Sequence, residues 1–382
     1  MTAEKRTVFA PDYGPKKPGE HLRMFLDERG IKIVDFARRT GRPTKTISEI
    51  ISGKASITPE TALQFERVLG EGAGFWLALE AKYQLALARQ KETETENEQE
   101  ALVWARQFPF PEMIKLGFFD KRPKPTEIVG SVLRAFSVSS IAAWERHWRE
   151  RIDLSRLKQQ THNQNDPFAV AAWLRRAELL ADSIETEPYN EAEFRALLPN
   201  LKALSLSPWS SAKGNLINIC AGAGVAVAMV PSVAKTGLRG AAYWARKDKA
   251  VIVISDRLKF EENVWFSFFH EACHILEHSK KAVFIDSYQE GTGGRDIERE
   301  ADEFSAEMLV PKAVIEKFQS VYGTGVRQIS QPSFKRFSQQ NGVSPGLLLM
   351  RLQHHEIVPR NSKLSKLKRK VEFTVESVAA ET

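Results

Sequence analysis

The sharpest chemical signal in this chain comes from two histidines and two glutamates. His270 and His274 stand four residues apart. On a helix that spacing puts both imidazoles on one face, one turn apart, where they can share a metal ion. Glu271 follows the first histidine and points to the side of the pair, where its carboxylate can take a proton from water activated by the ion. Two histidines leave such a site incomplete, because a catalytic zinc takes three protein ligands and keeps one position open. A third histidine six residues past His274 would complete one arrangement, but that position is Lys280. Glu298 lies 24 residues beyond His274, with Asp302 four residues further on the same helical face. A glutamate from a second helix is the expected third ligand of a His-His-Glu site.

The surrounding pattern supplies elements that could position these groups. Phe266, Phe268, Phe269, Ile275 and Leu276 make the motif segment, from about Glu261 to His278, an apolar helix. Ala301, Phe304, Met308 and Leu309 give the second segment a helical stripe that ends at Pro311. Ahead of them, Val225–Val230, Leu238–Trp244 and Ala250–Ile254 read as three strands of a small sheet. Gly222 and Gly224 precede the first strand without the spacing or the strand-glycine-helix context of a dinucleotide fingerprint. Within the motif helix, Cys273 is either a packing residue or an oxidation-sensitive thiol. His278, one turn past His274, is a group behind the ligands or a helix-end cap, and His278 and Tyr288 are the two residues placed to steady an oxyanion.

A second region carries a different chemistry. Phe36, Ala37, Gly41, Ile47 and Ile50 have the spacing of a helix-turn-helix: a small residue for close approach, a glycine at the turn and two anchors on the second helix. That helix would present Thr44, Lys45, Ser48 and Glu49 outward, with Arg42 at its start and Lys32 opening the preceding helix. Such side chains suit phosphates and base edges.

Composition frames both regions. The chain has 382 residues, 42% hydrophobic and 27% charged, with a net charge of +7, as expected of a soluble protein with more than one domain. No apolar run reaches the roughly 18 residues of a membrane span, and the N-terminus has no signal-peptide core, so a cytoplasmic protein without membrane contact is expected. Two cysteines exclude a disulfide framework and a four-cysteine zinc ribbon. Ten Lys/Arg face five Asp/Glu between Lys16 and Lys54, and seven face one between Arg351 and Val371; such local excess suits phosphates or acidic partners.

The expected fold is mainly α with a small β-sheet (α+β). An N-terminal arm (1–17) precedes a five-helix module (18–90) and a polar linker (91–100). A helical middle region of unassigned role (101–205), a zincin-like domain (206–360) and a basic tail (361–382) follow. Leu364 and Leu367 let part of the tail pack on that domain as an amphipathic segment, the alternative being a second nucleic-acid contact.

Two resemblances sharpen these expectations. His270-Glu271-Ala272-Cys273-His274-Ile275-Leu276-Glu277-His278, the stretch Glu298 to Asp302, Phe304 to Pro311, Gly342 to Gly346 and Arg351 to His354 resemble the ImmA/IrrE metallopeptidases over roughly residues 213 to 370. The resemblance implies His270, His274 and Glu298 as ligands of one Zn2+ per chain, and Glu271 as the general base of peptide hydrolysis in a protein partner such as a repressor or toxin-antitoxin component. The family often has Asn where this chain has Asp302. The segment Pro18 to Tyr83, with Ile57-Thr58-Pro59-Glu60-Thr61-Ala62-Leu63, resembles HigA-type antidotes among the XRE-like regulators. It implies a homodimer on a double-stranded DNA operator. Such modules often begin the first motif helix with a Ser or Thr cap and a Gln; this chain has Lys32 and Ile33. The second reading is a non-catalytic HigA-type antitoxin or transcriptional regulator whose metal domain is a sensor or scaffold.

Overall fold

The structure is a computed structural model that describes residues 16–95, 98–151, 166–278, 284–287, 295–323 and 329–374. The chain divides into two compact units, Met1–Ala101 and Leu102–Thr382.

Among the described residues, five helices lie wholly in the first unit: α1 (Pro18–Glu28), α2 (Ile33–Thr40), α3 (Thr44–Ser52), α4 (Pro59–Leu69) and α5 (Ala73–Thr95). Local chemistry sets their ends. Gly41 takes the left-handed conformation (φ 68°) that closes α2 and turns the chain into α3. Thr58 caps α4, its hydroxyl accepting from the Thr61 backbone N–H, and Pro59 fills the first helical position. Leu22, Leu26, Phe36, Ala37, Ile47, Ile50, Phe65 and Trp76 form one buried cluster. The turn-helix pair is therefore held from behind by α1, α4 and α5. The polar stretch read as a linker from residue 91 begins inside α5, which continues to Thr95.

A helix at the boundary, α6 (Glu98–Ala105), leads into the second unit. There follow α7 (Phe110–Lys115), α8 (Ile128–Ala135), α9 (Ile141–Arg151), α10 (Pro167–Ser183), α11 (Glu191–Leu204) and α12 (Trp209–Gly222). Next come β1 (Val225–Val230), β2 (Leu238–Arg246), β3 (Lys249–Ser255), α13 (Glu261–Glu277), β4 (Phe284–Ser287), α14 (Arg295–Leu309), α15 (Lys312–Tyr322), α16 (Gln331–Gln340) and α17 (Pro345–His354), with a short 3-10 turn at Lys363–Leu367.

The sheet is four-stranded in the order β1-β3-β2-β4. β1 runs parallel to β3, with Val225 opposite Ala250, while β2 runs antiparallel to both β3 and β4. Both faces of β1, β2 and β3 are covered, and alternate residues face opposite layers. Val225, Val227, Ala242, Ile252 and Ile254 join the core built with α11 to α17. Ala226, Ala228, Ala241, Tyr243, Val251 and Val253 join a second core with Trp104, Phe108, Phe136, Trp144, Trp148 and Trp173. The described residues of α6 to α10 thus supply the helical layer on one face of the sheet, and α11 belongs to the layer on the other face. The expected break between a middle region and the zincin-like domain is absent, because a sheet buried on both faces needs both layers. The fold is α+β, with the motif helix α13 lying directly on β2 and β3.

The C-terminal segment also belongs to this core. Leu364, Val371 and Phe373 are buried, and Leu367 packs beside them. Val371 N–H donates to the Lys259 carbonyl, the Phe373 ring stacks on Trp209, and Arg369 pairs with Glu261 at 2.6 Å. The basic charges of this stretch therefore ride on a packed strap that ties down the start of α13.

Candidate functional site

The second unit brings the predicted metal-binding residues together. His270 and His274 sit on the buried face of α13, each 1% exposed. α14 crosses beside it, and its small residues Ala301 and Ser305 are fully buried at the crossing. The Ser305 hydroxyl donates to the Phe266 carbonyl at 2.8 Å. This close approach carries Glu298 to the histidines. His270 Nε2 and His274 Nε2 are 3.1 Å apart, and the Glu298 carboxylate is 3.1 Å from the first and 3.6 Å from the second.

The outer nitrogens of both imidazoles are occupied. His270 Nδ1 donates to Asp302 Oδ1 at 2.9 Å. His274 Nδ1 lies 2.8 Å from His278 Nδ1, and His278 Nε2 lies 3.4 Å from Glu300 Oε2. With His278 donating to Glu300, its Nδ1 accepts from His274. Both ligand histidines then turn an Nε2 lone pair toward the same point as the Glu298 carboxylate. Three electron-pair donors converging without a cation would repel one another, so the donor set fits a metal ion. Its spacing fits zinc: nitrogen and oxygen ligands at the usual zinc distances in a tetrahedron stand about 3.3 Å from one another.

The electrostatics agree with the donor set. Burial lowers the pKa of His274, which favours the neutral form that ligates a metal. Burial alone would raise Glu298, but its contacts with His270 and His274 prevail and pull it down to about 2. Burial pushes the Cys273 thiol up to about 12. That residue is wholly buried, so of its two readings packing is the one that fits. The carboxylates of Glu298 and Asp302 are partly exposed, so the site opens along α14.

Glu271 is fully buried, and its carboxyl group lies against Gly240 of β2. The sequence reading placed Gly240 inside a strand and gave it no role. A glycine interrupting an apolar strand beside a charged helix residue was the available sign. His278 is engaged at both ring nitrogens, which suits it to orienting His274 rather than to meeting an oxyanion. Tyr288 lies outside the described residues.

In the first unit, Lys32, Thr44, Lys45 and Ser48 are exposed, and Arg42 and Glu49 are half-buried. Arg42 Nε donates to Gln64 Oε1 at 2.5 Å, Lys45 pairs with Glu49 at 3.9 Å, and Ser48 Oγ donates to the Thr44 carbonyl at 3.0 Å. Arg38 and Arg39, not singled out from sequence, are exposed on the last turn of α2.

Comparison with known proteins finds a family match for each of the two regions. The IrrE N-terminal-like domain family matches residues 223–353, and a helix-turn-helix family matches residues 22–76. The uncharacterized HTH-type transcriptional regulator YddM of Escherichia coli K12 is 34% identical over 74 residues, which are 19% of this chain and 79% of that protein. Virulence-associated protein A of Dichelobacter nodosus is 35% identical over 74 residues, covering 19% of this chain and 72% of that protein. Among solved structures, the Pseudomonas aeruginosa antitoxin HigA with the higBA promoter is 29% identical and covers 22% of this chain and 92% of its own, with a TM-score of 0.21. No helix among the described residues is long and apolar enough to cross a membrane.

Proposed function

Because this chain belongs to the HigA- and XRE-type helix-turn-helix regulators and carries a domain of the ImmA/IrrE metallopeptidase type, we propose that it is a DNA-binding regulator whose second unit is a zinc-dependent endopeptidase acting on a protein partner. The observation that carries this reading is the convergence of His270 Nε2, His274 Nε2 and the Glu298 carboxylate at 3.1 to 3.6 Å, with Glu271 next in sequence to the first ligand.

His270, His274 and Glu298 would hold one zinc ion. Bound there, zinc supplies Lewis acidity, polarising a scissile carbonyl and lowering the pKa of water to about 7. The remaining work belongs to this chain's own groups. Asp302 fixes His270, and the pair His278–Glu300 fixes His274, so both rings keep the tautomer with Nε2 directed inward. Glu271 takes the proton of the attacking water and returns it to the departing amine. Its full burial strengthens its interaction with developing charge, since little water screens it.

The first unit would bind operator DNA through Lys32, Arg42, Thr44, Lys45, Ser48 and Glu49, as a homodimer that spans two half-sites in the cytoplasm. The protein partner is a repressor or a toxin-antitoxin component. The test joins metal content to cleavage. Protein purified without chelator should hold about one zinc per chain, and Glu271→Gln should keep that zinc yet lose cleavage of the partner by 10²-fold or more, on the order of a general base's contribution. Equal cleavage by wild type and Glu271→Gln would end the peptidase reading.

A further inference from the structure

Gly240 lies within β2, in regular register with Ile254 of β3 and opposite Asp286 of β4, where the pairing with β4 shifts register between Leu238 and Gly240. A Cβ built on it would stand 2.9 Å from Cγ and 3.0 Å from Cδ of Glu271, and closer still to Oε1. Real side chains do not tolerate such contacts, so any residue other than glycine at 240 must displace Glu271. The backbone φ makes no demand for glycine there. Gly240 is absent from the positive-φ positions, and on its β3 side the pairing with Ile254 is regular. Glycine inside a strand weakens it and often marks a close approach. Here the approaching group is a carboxyl of the helix that carries both metal-binding histidines. Ala242, two residues along the same strand, is also small and buried in the same core as α13.

We infer that Gly240 is a positioning residue for Glu271. Its missing side chain is the seat of that carboxyl group, and it fixes how far the proposed general base lies from the ligand pair. Glu271 itself is fully buried, so the displaced carboxyl would have to find room inside the core. The inference rests on the peptidase reading for its catalytic meaning, and on packing alone for its geometry.

A double-mutant cycle in the full chain tests it, using wild type, Gly240→Ala, Glu271→Ala and the double variant. Each protein is measured for melting temperature, zinc content and the visible spectrum of its cobalt(II)-loaded form. Gly240→Ala should lower the melting temperature by about 5 °C, the scale of one overpacked methyl. The same change in the Glu271→Ala background should cost no more than about 1 °C, because the clashing group is gone. Gly240→Ala should also alter the cobalt(II) spectrum while one ion per chain is retained, and leave it unaltered when residue 271 is alanine. An equal fall in melting temperature in both backgrounds would assign the glycine to strand packing and overturn the inference. No fall in either would overturn it as well, by showing that Glu271 does not occupy the seat. A wild type that takes up neither zinc nor cobalt would defeat the metallopeptidase reading, while the melting cycle would still decide the role of Gly240.

Discussion

α13 and α3 both carry functional side chains, but the two helices hold them in opposite ways. On α13, His270, Glu271 and His274 are at most 1% exposed, and each touches a group from another element: Asp302 and Glu298 from α14, Gly240 from β2. On α3, Thr44, Lys45 and Ser48 are exposed, and the anchors Ile47 and Ile50 alone are buried. A buried site gains reach from low screening and depends on every neighbour that shapes it. An exposed face acts through separable contacts that salt can weaken. Substitutions around α13 should therefore be large and coupled, and those on α3 small and additive.

The largest effect expected is at Glu298. Glu298→Ala removes one of three protein ligands, and zinc affinity should fall on the order of 10²-fold or more, read by competition with a chromophoric chelator. Less than a tenfold change would mean that the ligand set is drawn wrongly. The outer partners come next. Asp302→Ala frees His270, and His278→Phe frees His274; each should weaken zinc binding by about 10- to 100-fold while stoichiometry at saturating metal stays at one. If both variants bind as tightly as wild type, the helix alone orients the histidines and the comparison with α3 loses its force.

How much of this contrast is legible in the sequence follows from the range of the interactions. The histidine spacing, Glu271, the turn at Gly41 and the anchors Ile47 and Ile50 are short-range patterns, and a period of 3.6 residues displays them directly. β1, β2 and β3 also show as apolar runs. β4, four residues long, carries too little pattern to be seen. The role of residues 102–183 is hidden for another reason: their tryptophans meet β1, β2 and β3 across long sequence separations, and periodicity reports which face is buried but not against what. Gly240 is the hardest kind to read, since its contribution is the space it leaves.

The strap over the start of α13 gives the next effect in size. Arg369 pairs with the 8%-exposed Glu261 at 2.6 Å, and Glu261 also accepts from the Trp209 backbone N–H at 3.0 Å. Arg369→Ala leaves that buried carboxylate with one partner fewer and should cost about 2 kcal/mol of stability in urea denaturation. The Arg369 end is partly solvated, which keeps the figure below that of a fully buried pair. Arg369→Ala combined with Glu261→Gln should recover part of the loss, because the charge is removed together with its partner. No recovery would show that the strap holds through Val371 and Phe373 instead.

On α3 the expected effect is the smallest and of a different character. Arg42 lies just ahead of α3, tied to Gln64 of α4, and Lys45 stands on its first turn; neither is part of the buried cluster. Arg42→Ala with Lys45→Ala should leave the melting temperature within about 1 °C of wild type, the ordinary range for surface changes. If each side chain neutralises one phosphate, the slope of log K against log salt should flatten by about 1.8 for B-form DNA. Affinity should fall in proportion on specific and random duplexes alike, since phosphate contacts position without specifying. A loss confined to one sequence would make Arg42 a base reader. An unchanged slope would mean that the exposed face of α3 docks a protein rather than DNA, and the contrast with α13 would then be one between two protein-recognition sites.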